Sequence, residues 1–240
     1  EQYEVIVTDD EGEGSATQQL VDQQYPWVQW VAGPGKGPAA NRNNGASHAQ
    51  GEWLVFTDDD CIPKEGWLEA YKSRAVKTDY LVLEGATHAE GPRPNARAIA
   101  PINTEGGHLW SCNLAVEQKA FVSLNGFSEE YPFALEDMDF QVRASKRNLS
   151  SSFVDKAVVI HPWRSIDSAF KDFKTRLRGW HTFKKNHPDR VARFNWGWVL
   201  GPILDLRSKL SKSYCRSWKD VVWIFKAALL EFVIRLTVKA

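Results

Sequence analysis

The sequence predicts an α/β fold: a mostly parallel, doubly wound sheet flanked by helices, with a helical C-terminal extension. Three observations carry that prediction. Short runs rich in β-branched and aromatic residues (YEVIVT at 3–8, EWLVFT at 52–57, YLVLEGA at 80–86) recur through the first part of the chain. Helical patterns of about 10–15 residues separate them, which is the spacing of βαβ crossovers. From 166 onward the strand signal stops and a helical pattern takes over.

Taken in order, the first run ends at Asp9-Asp10 and a Gly/Ser turn, where Ser15 suits the N-cap of a helix reaching Gln24. Trp27 to Ala32 is a second strand, followed by Gly33-Pro34-Gly35-Lys36-Gly37-Pro38. Pro38 suits the first turn of a helix whose face, Ala39, Asn43, Ala46 and Ala49, is small enough for close packing. The third strand ends at Asp58-Asp59-Asp60, then come a helix over 64–77 and a strand over 80–86. Residues 87–107 are rich in Gly, Pro, Asn and Thr and read as a long functional loop. A strand near 109–116, a short helix 117–124, a helix 135–148 and a strand 153–160 ending at His161-Pro162 follow. Helix 135–148 opens with Glu136, Asp137 and Asp139 and closes with Arg143, Lys146 and Arg147, matching the helix dipole at both ends. The C-terminal helices are expected to break near Pro188 and Pro202, leaving a final apolar helix over about 217–238.

Composition excludes several classes. The chain has 240 residues, 43% hydrophobic and 25% charged, which removes collagen, low-complexity disorder and coiled coil. It is long enough to bury a core without disulfides or metal staples. Cys61, Cys112 and Cys215 are odd in number and lack CxxC spacing, so a disulfide framework or structural zinc is not expected and a reducing, cytoplasmic setting is. No run of 18 uncharged apolar residues suggests a membrane span, and no basic leader opens the chain. The zero net charge hides an asymmetry: residues 1–140 hold 9 Lys/Arg against 23 Asp/Glu, and residues 141–240 hold 21 against 7. Either the halves meet different partners, cations on one side and an anionic surface or phosphates on the other, or they attract each other within one fold.

The residues richest in chemistry follow strands. Asp58-Asp59-Asp60 ends the third one, where ligands of open α/β sheets bind. Three adjacent carboxylates repel one another, and a hard cation held by an Asp-x-Asp pair with substrate phosphates offsets the cost. The bland alternative is an acidic cap on the next helix. Asp9-Asp10 is a plain turn or a second acidic edge, and Glu136-Asp137 serves either the helix dipole or chemistry. Asp139 and Arg143 are spaced as an i,i+4 pair. His161 is a metal ligand or a hydrogen-bonded structural histidine. Lys36 is followed by Gly37 rather than Ser or Thr, so the Gly33–Gly37 stretch fails the phosphate-loop pattern.

The order of the pieces resolves these alternatives. EVIVTDD, GPAANRNNGASHAQGEWLVFTDDDCIP, SCNLAV, NGF and EDMDFQVR, over about residues 3–163, resemble the inverting family 2 glycosyltransferases of the Rossmann-like GT-A fold. The resemblance implies a domain over 1–163 and a basic helical region over 164–240. It implies that Asp10 contacts the nucleobase and that Asp58 and Asp60 bind Mn²⁺ or Mg²⁺ with the donor diphosphate, with Asp59 and Arg42 beside the nucleotide. Asp137 matches the general base, His161 a histidine completing the metal shell, and Asn113 and Glu136 positions near the donor or acceptor sugar. Relatives carry a further strand and helix ahead of EVIVTDD, so a missing first strand is expected here. The altered run Glu11-Gly12-Glu13-Gly14-Ser15 replaces the family's usual Gly-Ser.

The implied function is metal-dependent transfer of a sugar, with inversion, from a nucleotide-sugar donor to a glycan or lipid-linked acceptor, in cell-surface glycan or glycolipid synthesis. The alternative is a non-catalytic nucleotide-sugar-binding or scaffold domain. A sugar-nucleotide pyrophosphorylase would want a Gly-rich N-terminal loop with a basic residue, which this sequence lacks. Nucleic acid is not an expected partner. The basic C-terminal region, with Lys226, Glu231 and Arg235 interrupting its apolar final helix, is expected to lie on an anionic membrane surface at the inner face of the cell membrane rather than span it.

Overall fold

The computed structural model describes residues 3–76, 79–131, 134–165 and 169–239. The expected helix over 64–77 and the helical stretch from 166 therefore each run partly outside the described residues. The chain forms two compact units, Glu1–Thr87 with Asn103–Val159, and His88–Ile102 with Ile160–Ala240.

In the first unit, β1 (Ile6–Asp9) pairs in parallel with β2 (Gln29–Ala32) through the crossover helix α1 (Ala16–Gln24). Ser15 caps α1 as its position suggests, its hydroxyl accepting from the Gln18 N–H at 3.0 Å. This pair forms its own two-stranded sheet. Helix α2 (Pro38–His48) begins at Pro38 and leads to β3 (Trp53–Thr57), β4 (Ile62–Pro63) and helix α3 (Trp67–Ala75). Then come β5 (Val82–Ala89) and, in the second unit, the short β6 (Ala98–Ile99) inside the stretch expected as loop. Back in the first unit follow β7 (Asn113–Glu117), α4 (Gln118–Ser123), α5 (Glu136–Lys146) and β8 (Ser151–His161), whose residues from Ile160 on belong to the second. The main sheet has the order β3-β7-β5-β8-β4. It is mixed: β7 runs antiparallel to both β3 and β5, with Leu54 opposite Val116 and Leu83 opposite Ala115.

β7 is the pivot of the core because both its faces are covered. Its period-2 alternation sends Leu114 and Val116 to one face, where they meet Leu54, Val82 and the ring cluster Phe121, Phe127 and Phe140 from α4, its following turn and α5. Ala115 goes to the other face with Leu83, Val154, Ala157 and Tyr71. A strand covered on both faces reads as a continuous apolar run, and LAV at 114–116 does.

The second unit pairs β6 with β9 (Arg164–Ser165) and adds α6 (Ala169–Asn186), α7 (Pro188–Ala192), α8 (Trp196–Leu204), α9 (Leu206–Leu210) and α10 (Trp218–Lys239). Asp220, buried in the first turn of α10, accepts from the N–H groups of Ala96, Arg216 and Ser217 and from the Ser217 hydroxyl. These bonds, the Ser217 hydroxyl's first, hold its carboxyl below the usual range and fasten residues 95–98 to the helix. The break expected near Pro202 comes at Asp205, between α8 and α9, and Pro202 itself lies inside α8. A proline leaves the carbonyl four residues back without its helical donor. Here that carbonyl, Trp198 O, accepts from Arg235 Nη1 at 2.7 Å instead.

Candidate functional site

The site is built around one guanidinium. Arg42 projects from α2, half-buried, and donates from Nη2 to Asp58 Oδ1 at 2.7 Å and from Nη1 to Glu136 Oε1 at 3.3 Å. Asp58 follows the last residue of β3 and Glu136 opens α5, so two carboxylates far apart in sequence are tied through Arg42. Burial alone would lower the Arg42 pKa, but the charges of Asp58, Asp137 and Glu136 raise it, so the cation is secured.

Asp137 is the neighbour that matters chemically. Its Oδ1 is buried and accepts no hydrogen bond, while the carboxylate meets the side chain and backbone of Ser111. Burial, then the nearby Glu136 charge, push its carboxyl up to about 7 against the opposing pull of Arg42 and Ser111. The helix start that positions it is set by Leu135, at φ 75. Asp139, one turn on, is buried and forms the expected i,i+4 pair with Arg143 at 2.6 Å.

Asp10 stands exposed after β1, its two oxygens accepting from the Gly35 and Gly37 N–H groups at 3.0 and 3.1 Å. The glycine-rich stretch thus serves as a backbone cradle for a carboxylate, not a phosphate. Gly33 has to be glycine there, since a Cβ would overlap Asn41 Oδ1 and Asp10 Oδ1. Asp59 is exposed, and Asp58 and Asp60 are half-buried on either side of it.

Two of the implied site residues make several hydrogen bonds within the fold. Asn113 is buried at the start of β7 and uses its whole amide: Nδ2 donates to Ala86 O and Ala157 O, and Oδ1 accepts from Trp67 Nε1 and the Tyr71 hydroxyl. Two donors and two lone pairs are an amide's full capacity, so nothing is left for a sugar hydroxyl. Asn113 braces β5, β7 and β8 to α3, and Gly85 makes room for it, because a Cβ there would overlap Asn113 Nδ2, Ala157 O and Tyr71 Oη. Arg42, implied to lie beside the nucleotide, donates to Asp58 and Glu136 and keeps further N–H donors of its five. His161, at the end of β8, belongs to the second unit; it is buried, its Nδ1 lies 2.7 Å from Pro162 O, and its own carbonyl accepts from the Glu90 N–H.

Three features are not among the residues expected from the sequence. Glu84, buried in β5, accepts from the N–H groups of Gly107, His108 and Leu109 and from Asn103 Nδ2, all between 2.6 and 2.8 Å. That carboxylate fixes the loop leading to Ser111. Ser111 itself is an ordinary residue in sequence. The thiols of Cys61 and Cys112 hydrogen-bond to each other, a contact that lowers the Cys61 pKa and, with burial, raises that of Cys112. A buried glutamate in a strand pattern is the one sequence clue among the three.

Comparison with known proteins gives the class. Two curated relatives, the pre-mycofactocin glycosyltransferases of Mycobacterium tuberculosis strains CDC 1551 / Oshkosh and ATCC 25618 / H37Rv, are each 24% identical over 184 residues, covering 65% of this chain. The match covers 37% of each relative, so the chain spans little more than a third of their length. The crystal structure of S. aureus TarS 1-349 matches with a TM-score of 0.52 at 16% identity, covering 98% of this chain and 80% of that one. That likeness is one of fold, the GT-A arrangement of a mixed sheet flanked by helices. The family model "Glycosyl transferase family 2" matches residues 1–123, more than half of the chain and the part that holds Asp10, Arg42, Asp58 and Asp60. With the acidic strand ends in the places that the motifs require, the chain belongs to glycosyl transferase family 2.

Proposed function

We propose that this chain is the catalytic part of an inverting, metal-dependent glycosyltransferase that moves a sugar from a nucleotide-diphosphate donor to the hydroxyl of a glycan or lipid-linked acceptor, in cell-surface glycan or glycolipid synthesis. Family membership supports the transfer; the observation that carries the mechanism is the buried carboxyl of Asp137, raised to about 7. An acceptor hydroxyl is a poor nucleophile until a carboxylate within hydrogen-bond reach takes its proton, and a base titrating near neutral pH is suited to that. Glu136 is ion-paired to Arg42, which leaves Asp137 as the base. One base acting opposite the leaving group inverts the anomeric centre without a nucleophilic carboxylate.

The remaining residues orient the donor. Asp10, exposed and rigidly cradled, suits the nucleobase. Asp58 gives Oδ1 to Arg42, and with Asp60 two residues on it forms an oxygen donor set fitting a hard divalent ion, Mn²⁺ or Mg²⁺. Such an ion supplies stabilisation of the negative charge left on the nucleoside diphosphate.

The test is release of nucleoside diphosphate from a panel of nucleotide sugars, with and without Mn²⁺, for the wild type and Asp137→Asn. Transfer should fall by ~10²–10⁴ in the variant while donor binding persists. Donor binding with no release in the wild type would instead favour a non-catalytic nucleotide-sugar-binding domain.

A further inference from the structure

Helix α10 is apolar around most of its circumference because it carries two apolar faces, only one of which is used. Ile224, Ala228, Ile234 and Val238 are buried and form its inner face. Trp218, Val222, Phe225, Leu229 and Leu236 are spaced by four, three, four and seven residues and fall on one stripe roughly opposite, at 3.6 residues per turn. The stripe is uncovered: Trp218 is 76% exposed, Leu229 57% and Phe225 49%. A large apolar stripe open to solvent marks an interaction surface.

The charges around it select the partner. Lys219 and Lys226 flank the stripe on one side and are exposed, as are Arg207, Lys212 and Arg216 in the segment leading to it. Three acidic residues lie within 196–239, and two of them are occupied. Asp220 is buried on its own N–H donors, and Glu231 is paired with Arg176 at 2.8 Å and Arg235 at 3.0 Å. Only Asp205 remains exposed against five exposed cations. Among the described residues no helix is long and apolar enough to cross a membrane. An apolar stripe of this length edged by cations is the pattern of a helix lying in the plane of an anionic bilayer surface, with tryptophan at the headgroup level.

We propose that the outer stripe of α10, Trp218 to Leu236 with Lys219 and Lys226, docks on an anionic lipid surface. The inference rests on the proposed function only in saying where a lipid-linked acceptor is met. Vesicle binding needs neither donor nor turnover, so the two readings fail separately.

The experiment is co-sedimentation of the chain with phosphatidylcholine vesicles and with 70:30 phosphatidylcholine/phosphatidylglycerol vesicles in 0.1 M NaCl. Binding to the anionic vesicles should be at least tenfold stronger than to the neutral ones. The pair Lys219→Glu/Lys226→Glu should reduce it by at least tenfold. Phe225→Ser/Leu229→Ser should abolish it with the circular dichroism unchanged, since both side chains are exposed. No binding, equal binding to both vesicle types, or wild-type binding by either pair overturns the proposal. So does a dimer in light scattering that the Phe225/Leu229 pair dissociates and that anionic vesicles leave intact, because a second copy would then own the stripe.

Discussion

At the scale of single residues, Asp137 ties activity and stability to pH in opposite senses. The folded protein holds this carboxyl at about 7 against an ordinary value of 3.8. Between those values the folded state binds a proton that the unfolded chain releases, so this group's contribution to stability is full below pH 3.8 and lost as pH rises through about 7. Proton abstraction needs the carboxylate, so transfer should rise with pH through the same window. Asp137→Asn should therefore raise the melting temperature at pH 8 and show little change at pH 4 in paired calorimetric scans. An unshifted melting temperature at pH 8 would mean that the carboxyl is not held protonated by its surroundings. Arg42 gives the complementary case. Arg42→Met leaves Asp58 and Glu136 without their cation, and breaking a largely buried ion pair from one side costs about 3 kcal/mol. The midpoint of urea unfolding should drop accordingly, and Arg42→Lys should restore part of it, since an ammonium cannot reach both carboxylates in the fork geometry of a guanidinium. Asp137 and Glu136 were legible from motif order. The full hydrogen bonding of Asn113 was not, because its partners Trp67, Tyr71, Ala86 and Ala157 come from three separate stretches of chain.

At the scale of elements, the helices were legible and the pairing was not. Ser15, Pro38 and the acidic start of α5 are local signals, and each helix begins where they place it, within a residue. Strand direction is a different matter: nothing in NLAVE says that it runs antiparallel to both neighbours, since that follows from the path of the chain before it. Residues 103–109 show why. They read as loop, yet Glu84 organises them by accepting three consecutive N–H groups, at Gly107, His108 and Leu109. Glu84→Gln replaces one acceptor oxygen by a donor facing those N–H groups. The cost should be about 2–3 kcal/mol, as for a buried donor left unsatisfied beside a lost charged acceptor. Amide hydrogen exchange should speed up at 107–109 more than at Leu54 or Val82 in the sheet. Because this loop carries Ser111 against Asp137, the variant should also shift the pH midpoint of transfer, which a purely global loss of stability would not do.

At the scale of the whole molecule, the sequence asymmetry persists once the two compact units are known. The first holds 11 Lys/Arg against 23 Asp/Glu, and the second 19 against 7, giving −12 and +12 in a chain of zero net charge. Residues 88–102, with Arg93 and Arg97 against Glu90, belong to the second unit and add one positive charge to it, a grouping that no local pattern announces. Such a chain should behave as two opposite polyelectrolytes. Near its isoelectric point of about 7.2 it should still bind both anion- and cation-exchange resins at low salt, where a protein with mixed surface charge would pass through both. Copies should also attract one another, the acidic unit of one to the basic unit of the next, when the Debye length is ~30 Å at 0.01 M salt. They should separate when it shrinks to ~8 Å at 0.15 M. Static light scattering across that range checks this: the apparent mass should fall toward 27.2 kDa as salt rises. A mass independent of salt, with flow-through on either resin, would show instead that the opposite charges neutralise each other within one molecule.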